Sequence, residues 1–201
     1  KEEYKESLSD DEKPFYNGTT YILPNGATLL QHRLLSYARP GYLEVVKYLQ
    51  KQENDLLDDS QLVWMATRTG AFEIVEFLLQ KNPNLNLEIQ DKDGYTPLML
   101  ASVNEHVAIV KLLIAAGANA HAKNNIDRWT ALHYAARYGY TKILTLLIAA
   151  DADVNAKDND GETALYQAVE QNPFDIILDD ADVNTENNEA IIKALREAGA
   201  I

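Results

Sequence analysis

The chain has 201 residues, 46% hydrophobic and 24% charged, with 18 basic against 31 acidic side chains for a net charge of −13. That balance describes a folded chain with one substantial core or a short repeat array, and its sign would repel phosphate backbones, so no nucleic acid is expected as a partner. No apolar run reaches the roughly 18 residues a membrane span needs, so no membrane partner is expected; the lack of cysteine excludes disulfides, thiolate zinc sites, iron–sulfur ligation and cysteine nucleophiles.

The first residue is Lys1 rather than Met, so the chain reads as truncated or processed, and it holds no signal-like segment. A cytoplasmic and an exported chain would read alike here, and the localisation is left unknown. Residues 1–13 read as a solvated, charged tail. Between Phe15 and Leu23, aromatic and β-branched residues flank Asn17-Gly18, a pair suited to a hairpin turn, which predicts a small finger on the first helical unit.

Helical units come next. Asn25-Gly26-Ala27-Thr28 reads as a turn and Gly41-Tyr42-Leu43-Glu44-Val45-Val46 as the opening of a helix, with the two halves spaced further apart than in later units. Val63–Leu79 repeats the theme: Ala66, Gly70, Ile74, Val75 and Leu78 align with Ala101, Glu105, Ile109, Val110 and Leu113, although Gln61 stands in place of a threonine. The pattern is clearest in DGYTPLMLA (93–101), DRWTALHYAA (127–136) and DGETALYQA (160–168), whose threonines at 96, 130 and 163 lie 34 and 33 residues apart. Beyond the first two come Ile109–Leu113 and Ile143–Leu147, each one face of an amphipathic helix. Gly117 suits a left-handed helix C-terminus, and Asn119, Asp151, Asp153 and Asn155 suit turns.

One unit is therefore helix, tight turn, helix, β-turn. Thr96 can cap the first helix and Pro97 can occupy its first turn without losing a needed N–H. Ala101, Ala135, Ala136 and Ala168 are small enough for close helix packing, and Leu98, Leu132 and Leu165 with the second-helix aliphatics predict a core ribbon shared between units. Ala190–Ala200 mirrors Ala108–Ala118 and reads as the last second helix, delayed by a segment, 170–189, with seven acidic and no basic side chains. An alternative register has Ile177–Asn184 echo Ile148–Asn155, with 173–179 as a shortened second helix.

A period near 33 with Thr96-Pro97-Leu98 and Thr130-Ala131-Leu132-His133 opening the first helix resembles the ankyrin repeat. The resemblance implies an all-α ankyrin-repeat solenoid of stacked helix-turn-helix units joined by β-turn or hairpin loops. On this reading residues 1–24 form an acidic N-terminal tail with the hairpin, and residues 25–201 hold repeats at about 25–57, 58–90, 91–124, 125–157 and 158–201. His133 and His106 match histidines that serve the array structurally.

The implied function is a non-catalytic protein–protein interaction module that binds another protein through a concave face of hairpin tips and first-helix side chains. Carried over position by position, the partner-binding candidates are Arg68 in the second unit; Lys92, Asp93, Tyr95 and Asn104 in the third; Ile126, Asp127, Trp129, Arg137 and Tyr138 in the fourth; and Asn159, Glu162 and Gln171 in the fifth. Arg39, Thr69, Val103, Asp160 and Glu170 flank them. The fourth unit has one residue more between Ala122 and Thr130 than the fifth has between Ala156 and Thr163, and Arg128 stands where Gly94 and Gly161 stand, which predicts a bulged tip. Trp129, Arg137 and Tyr138 are the residue types that dominate interface energetics, unless Trp129 folds back on its own hairpin and Tyr138 packs on the next unit.

Reactive chemistry has little support beside this. A nucleophile elbow, a dinucleotide-binding glycine turn, a phosphate-binding loop and a metalloprotease helix are all missing, and His32, His106, His121 and His133 show no metal-ligand spacing. No catalytic residue, cofactor or metal is expected. Asp151-Ala152-Asp153-Val154-Asn155 with Glu162 imitates a calcium loop, but Ala156 occupies the position that wants glycine; Asp180, Asp182, Asn184 and Glu186 lack both the glycine and the distal glutamate. Asn17-Gly18-Thr19 is a formal glycosylation acceptor, and Leu147–Asn155 resembles an asparagine-hydroxylation acceptor of some ankyrin repeats.

Three further readings accompany the leading one. An acidic inhibitor or immunity-type protein would neutralise a basic effector or enzyme. A metal-dependent activity would draw on the 170–189 acids. A piece of a longer scaffold would fit the missing Met, although Gly199-Ala200-Ile201 reads as a natural end. A monomer is expected, because a stacked array satisfies its own faces.

Overall fold

The computed structural model describes residues 15–16, 21–22, 38–52, 59–170 and 181–201. The tail at 1–13, the Asn17-Gly18 turn with its glycosylation motif, the Asn25–Thr28 turn, His32, Gln171 and the 173–179 block lie outside them. Among the described residues, β1 (Phe15–Tyr16) pairs antiparallel with β2 (Tyr21–Ile22), Phe15 opposite Ile22 and Tyr16 opposite Tyr21. Nine helices follow among them: α1 (Leu43–Gln52), α2 (Asp59–Thr69), α3 (Phe72–Lys81), α4 (Pro97–Val103), α5 (Val107–Ala115), α6 (Ala131–Arg137), α7 (Thr141–Ala149), α8 (Ala164–Glu170) and α9 (Ala181–Glu197).

The inner helices start where the threonines stand. Thr96 is extended (φ −79°, ψ 163°), its hydroxyl accepts the Met99 N–H at 3.3 Å, and Pro97 follows in the first turn. Thr130 instead donates its backbone N–H to His133 Nδ1 at 3.2 Å. Helices α2, α4 and α6 end in the same reversal: the N–H groups of Ala71, His106 and Tyr140 return to the Ala66, Ala101 and Ala135 carbonyls at 2.8, 2.9 and 2.9 Å. The reversal needs a left-handed residue, supplied by Gly70 (φ 74°), Glu105 (φ 57°) and Gly139 (φ 75°).

Helices α2, α4, α6 and α8 pack successively in an inner row, and α1, α3, α5, α7 and α9 in an outer row. Between the rows runs one core, Ile74, Ile109, Ile143 and Ile191 in one rung and Leu78, Leu113, Leu147 and Leu195 in another, all at most 1% exposed. Burying each such side chain contributes about 1.5–3 kcal/mol. Because each rung touches two neighbours, no unit holds that gain alone. Leu165, the counterpart of Leu98 and Leu132, is only half-buried, since among the described residues no inner helix packs beyond α8.

At the C-terminal end α9 packs on both α7 and α8, taking the place of an outer helix. Ile191 and Leu195 enter the core at the positions of Ile109 and Leu113, as the mirrored block predicts. The helix begins earlier than that block, at Ala181, so the latter half of the acidic segment is helical. Residues 181–184, a turn in the alternative register, are part of α9, while its 173–179 helix lies outside the described residues.

Successive hairpins are joined at their tips. Asn125 donates its N–H to the Asp93 carbonyl at 2.9 Å, and Asn159 donates to the Asp127 carbonyl at 3.0 Å. Gly94 meets two demands at this ladder: its φ is +84°, and a Cβ there would lie 2.5 Å from the Asn125 backbone nitrogen. Gly161 shares the conformation at φ +79° but has open space around it. Gly161→Ala is accordingly expected to cost about 1 kcal/mol, and Gly94→Ala about 2–3 kcal/mol through the added clash. Urea denaturation of the two variants measures the difference, and equal losses would contradict the tip-to-tip packing.

Candidate functional site

The inner face is built from the hairpins and the exposed sides of α2, α4, α6 and α8. Hairpin shape is set at its base by a carboxylate or amide. Asp91 Oδ1 accepts the Asp93 and Tyr95 N–H groups at 3.0 and 2.8 Å, and Asp158 Oδ1 accepts those of Asp160 and Glu162 at 3.0 and 2.8 Å. In the fourth unit Asn124 Oδ1 reaches one residue further, to the Trp129 N–H at 2.8 Å, and Arg128 adopts at φ 60° the left-handed conformation that Gly94 and Gly161 have in the neighbouring tips. A non-glycine residue there carries strain of about 1–2 kcal/mol.

Trp129 is half-buried and fixed on three sides. Its indole N–H crosses to Asp158 Oδ2 of the next hairpin at 3.1 Å, its ring meets Tyr134 edge-on at a centroid distance of 5.0 Å, and the Arg137 guanidinium carbon lies 5.9 Å from the indole centroid. Trp129 thus packs against its own inner helix and reaches the next hairpin rather than folding back on its own, while still lining the face. Arg137 Nη1 donates to Gln167 Oε1 at 3.1 Å, and Gln167 Nε2 donates to Glu162 Oε2 at 2.9 Å. Tyr134 donates its hydroxyl to the Tyr95 hydroxyl at 3.0 Å and accepts from Asn124 Nδ2 at 2.9 Å; the Tyr95 carbonyl accepts the Trp64 indole N–H at 2.9 Å. A polar seam therefore links the second unit to the fifth.

These side chains frame a groove of about 550 Å³, lined by Tyr95, Asp127, Trp129, Tyr134, Arg137, Tyr138, Asp158, Asp160, Glu162, Tyr166 and Gln167. Tyr95, Asp127, Trp129, Arg137, Tyr138 and Glu162 were candidates from sequence and meet here. Ile126 and Tyr138 are 58% and 51% exposed. Arg68, Lys92, Asn104 and Asn159 are also exposed, and Asp93 is half-buried. Arg68 stacks 5.2 Å from the Trp64 ring centroid on the second unit, and Asn159 Nδ2 donates to the Ile126 carbonyl at 2.9 Å.

Tyr134, Asp158, Tyr166 and Gln167 escaped the sequence reading. Tyr134 and Gln167 stand four residues beyond their threonines, on the same helix face as the positions seven and eight beyond. A phenol or amide there, where the third unit has Leu100, was the available signal.

Burial shifts two titratable groups at the site, His133 and Tyr134. His133 is fully buried, with Nδ1 accepting from the Thr130 N–H and Nε2 facing the Glu162 carbonyl at 3.4 Å, so the imidazole is a neutral strut between units. Burial pushes it below its ordinary value of 6.5, against the opposing pull of the Glu162 carbonyl. Burial, then the hydrogen bond to Tyr95, raises the Tyr134 phenol far above its ordinary value. His106 lies against the preceding unit, where a Cβ at Gly70 would meet its ring at 2.8 Å.

The metal-loop imitations find other uses. Asp153 Oδ1 accepts the Asn155 N–H at 3.0 Å, an ordinary turn bond, while Asn155 donates to the Gly199 carbonyl at 3.1 Å and accepts from the Ile201 N–H at 3.0 Å. Asp182, Asn184 and Glu186 fall within α9, and Asp180 lies outside the described residues. Among the described residues no group of three or more His, Asp or Glu could hold a metal ion, and no helix is long and apolar enough to cross a membrane.

Stacked two-helix units with linked hairpins define a repeat solenoid, and the comparison with known families agrees. The family described as Ankyrin repeats (3 copies) matches residues 34–124 and 109–187, and the chain belongs to it. Ankyrin repeat protein FPV031 of fowlpox virus (strain NVSL) is 33% identical over 138 residues, 66% of this chain and 40% of that protein. Ankyrin repeat and SAM domain-containing protein 6 of Mus musculus is 34% identical over 77 residues, 38% of this chain and 9% of that protein. Alpha-latrocrustotoxin-Lt1a of Latrodectus tredecimguttatus is 38% identical over 63 residues, 31% of this chain and 4% of that protein. The chain thus spans well under half the length of each of these relatives.

The His133 environment has a pH signature. The unfolded chain protonates this imidazole near its ordinary value of about 6.5 and the folded chain only lower, so below about pH 6.5 the unfolded state binds more protons and stability falls as pH falls towards the folded value. His133→Gln is expected to cost about 1–3 kcal/mol at neutral pH through the orphaned Thr130 and Glu162 groups and to flatten this part of the curve. Melting temperatures of both proteins between about pH 7 and pH 5 test it; parallel curves would refute the buried neutral imidazole.

Proposed function

We propose that this chain is a non-catalytic protein-binding module that presents its inner face to another protein, with the residues from Arg68 to Glu162 described above as the contact surface. The observation that carries the reading is the separation of labour on that face. Thr96, Thr130, His133 and the aliphatic rungs are consumed by stacking, whereas Arg68, Lys92, Ile126, Arg137 and Tyr138 project from the same rigid frame with exposed surface. Aromatic and guanidinium side chains held in place lose little entropy on binding, which is the chemistry of interface anchors.

The state of the polar groups supports binding over turnover. His133 has both ring nitrogens engaged and no exposed surface, and Tyr134 keeps its proton at neutral pH, so neither is placed to exchange a proton with a bound substrate. The array as a monomer is part of the same proposal, since each unit but the terminal ones is covered by its neighbours. The activities and partners of the longer relatives are not carried over, because fold alone does not transfer them.

The test is affinity capture from extracts of the source cells with the immobilised chain, beside Arg68→Ala, Tyr138→Ala and the outer-helix control Lys111→Ala. The inner-face variants are expected to lose the captured protein by about tenfold while the control retains it. Loss with Lys111→Ala and retention with both inner-face variants would place the interface elsewhere.

A further inference from the structure

The groove on the fourth and fifth units differs in charge from the rest of the inner face. Four carboxylates line it, those of Asp127, Asp158, Asp160 and Glu162, against one guanidinium, Arg137. Among the described residues none of the four is in an ion pair; the pairs there are Lys47 with Glu44, Lys81 with Asp59, and Lys193 with Glu197. Arg137 is held by Gln167 and the indole rather than by an acid. At the other end of the face, Arg68 and Lys92 are basic.

Asp158 and Glu162 are also held in place, while Asp160 is exposed. Asp158 takes two backbone N–H groups on Oδ1 and the Trp129 indole on Oδ2, and Glu162 takes the Gln167 amide. These bonds keep Asp158 and Glu162 directed at their own partners. Their charge remains, spread along a groove walled by tyrosine and tryptophan rings, and both features favour an extended cation with an apolar stem.

We infer that this groove seats a basic segment of the partner protein, its arginine or lysine heads on the Asp127, Asp160 and Glu162 carboxylates and their stems on the Trp129 and Tyr138 rings. The inference rests on the reading of the inner face as the binding face and adds the chemistry of what binds there. Asp127 and Glu162, held by Trp129 and Gln167, need little reordering when the cation arrives, and the field of all the acids speeds its approach at low salt.

The chain carries two tryptophans, Trp64 at the basic end and Trp129 in the groove, so indole N–H resonances of the 15N-labelled full chain report on each end separately. The probe is a blocked peptide of alternating arginine and glycine, with a glutamate–glycine peptide as its control. The arginine peptide is expected to shift the Trp129 indole and the Tyr138 amide to saturation and leave the Trp64 indole in place; the glutamate peptide should move neither. Asp160→Asn with Glu162→Gln should weaken binding about tenfold at low salt, whereas Glu73→Gln with Glu76→Gln on outer helix α3 removes the same charge and should change it less than about twofold. Absence of binding, equal shifts at both indoles, or equal losses from the two charge pairs would overturn the inference. If the arginine peptide fails while Arg68→Ala and Tyr138→Ala still abolish capture of the partner, the basic specificity falls and the inner-face reading stands.

Discussion

A helix of seven residues that is covered on nearly every side cannot stand alone in water, and the architecture follows from that. Pro97 to Ser102 and Ala131 to Ala136 are buried residue after residue. Two turns of isolated helix are too short to persist, so α4 and α6 exist because an inner helix lies on either side and an outer helix lies behind. Small residues at the contacts, Ala101, Ala135 and Ala168, let the rows approach closely, and all three are fully buried. Stability is then a property of interfaces between units, and a core substitution weakens two of them together.

The same constraint shapes the binding face. Outer-row aliphatics fill the space between rows, so the hairpins and inner helices are left to hold shape and register by polar bonds: within each hairpin base through Asp91, Asn124 and Asp158, tip to tip through Asn125 and Asn159, and across units through Trp64, Trp129 and His133. Several of these residues also line the groove. Trp129 shows the overlap most directly, because its indole N–H ties two units while its ring walls the cavity. A surface made this way is rigid before a partner arrives, which lowers the ordering cost of binding.

Most of the repeat was legible in the amino-acid order. The spacing of Thr96, Thr130 and Thr163, the alanines behind them and the second-helix aliphatics placed α4 to α8 and the core rungs, because each position is dictated by contacts that recur in every unit. The mirrored block at Ala190–Ala200 likewise located the end of α9. The earlier start of α9 was missed, since the 170–189 segment has no repeat equivalent to be read against. Leu165 was expected in the core and is half-covered, because periodicity registers a position but not whether a neighbour follows it.

For the candidate site the division is similar. Sequence alone determined that there would be an inner face and which positions would point to it, since three- and four-residue spacing on a helix and the hairpin flanks fix direction. Tertiary structure decided the rest: that Trp129 reaches Asp158 in the next unit, that Tyr134 meets Tyr95 across 39 positions, and that four carboxylates gather on a groove with one arginine. Those meetings depend on the offset between successive units, a quantity that belongs to packing between repeats and is written in no single one of them.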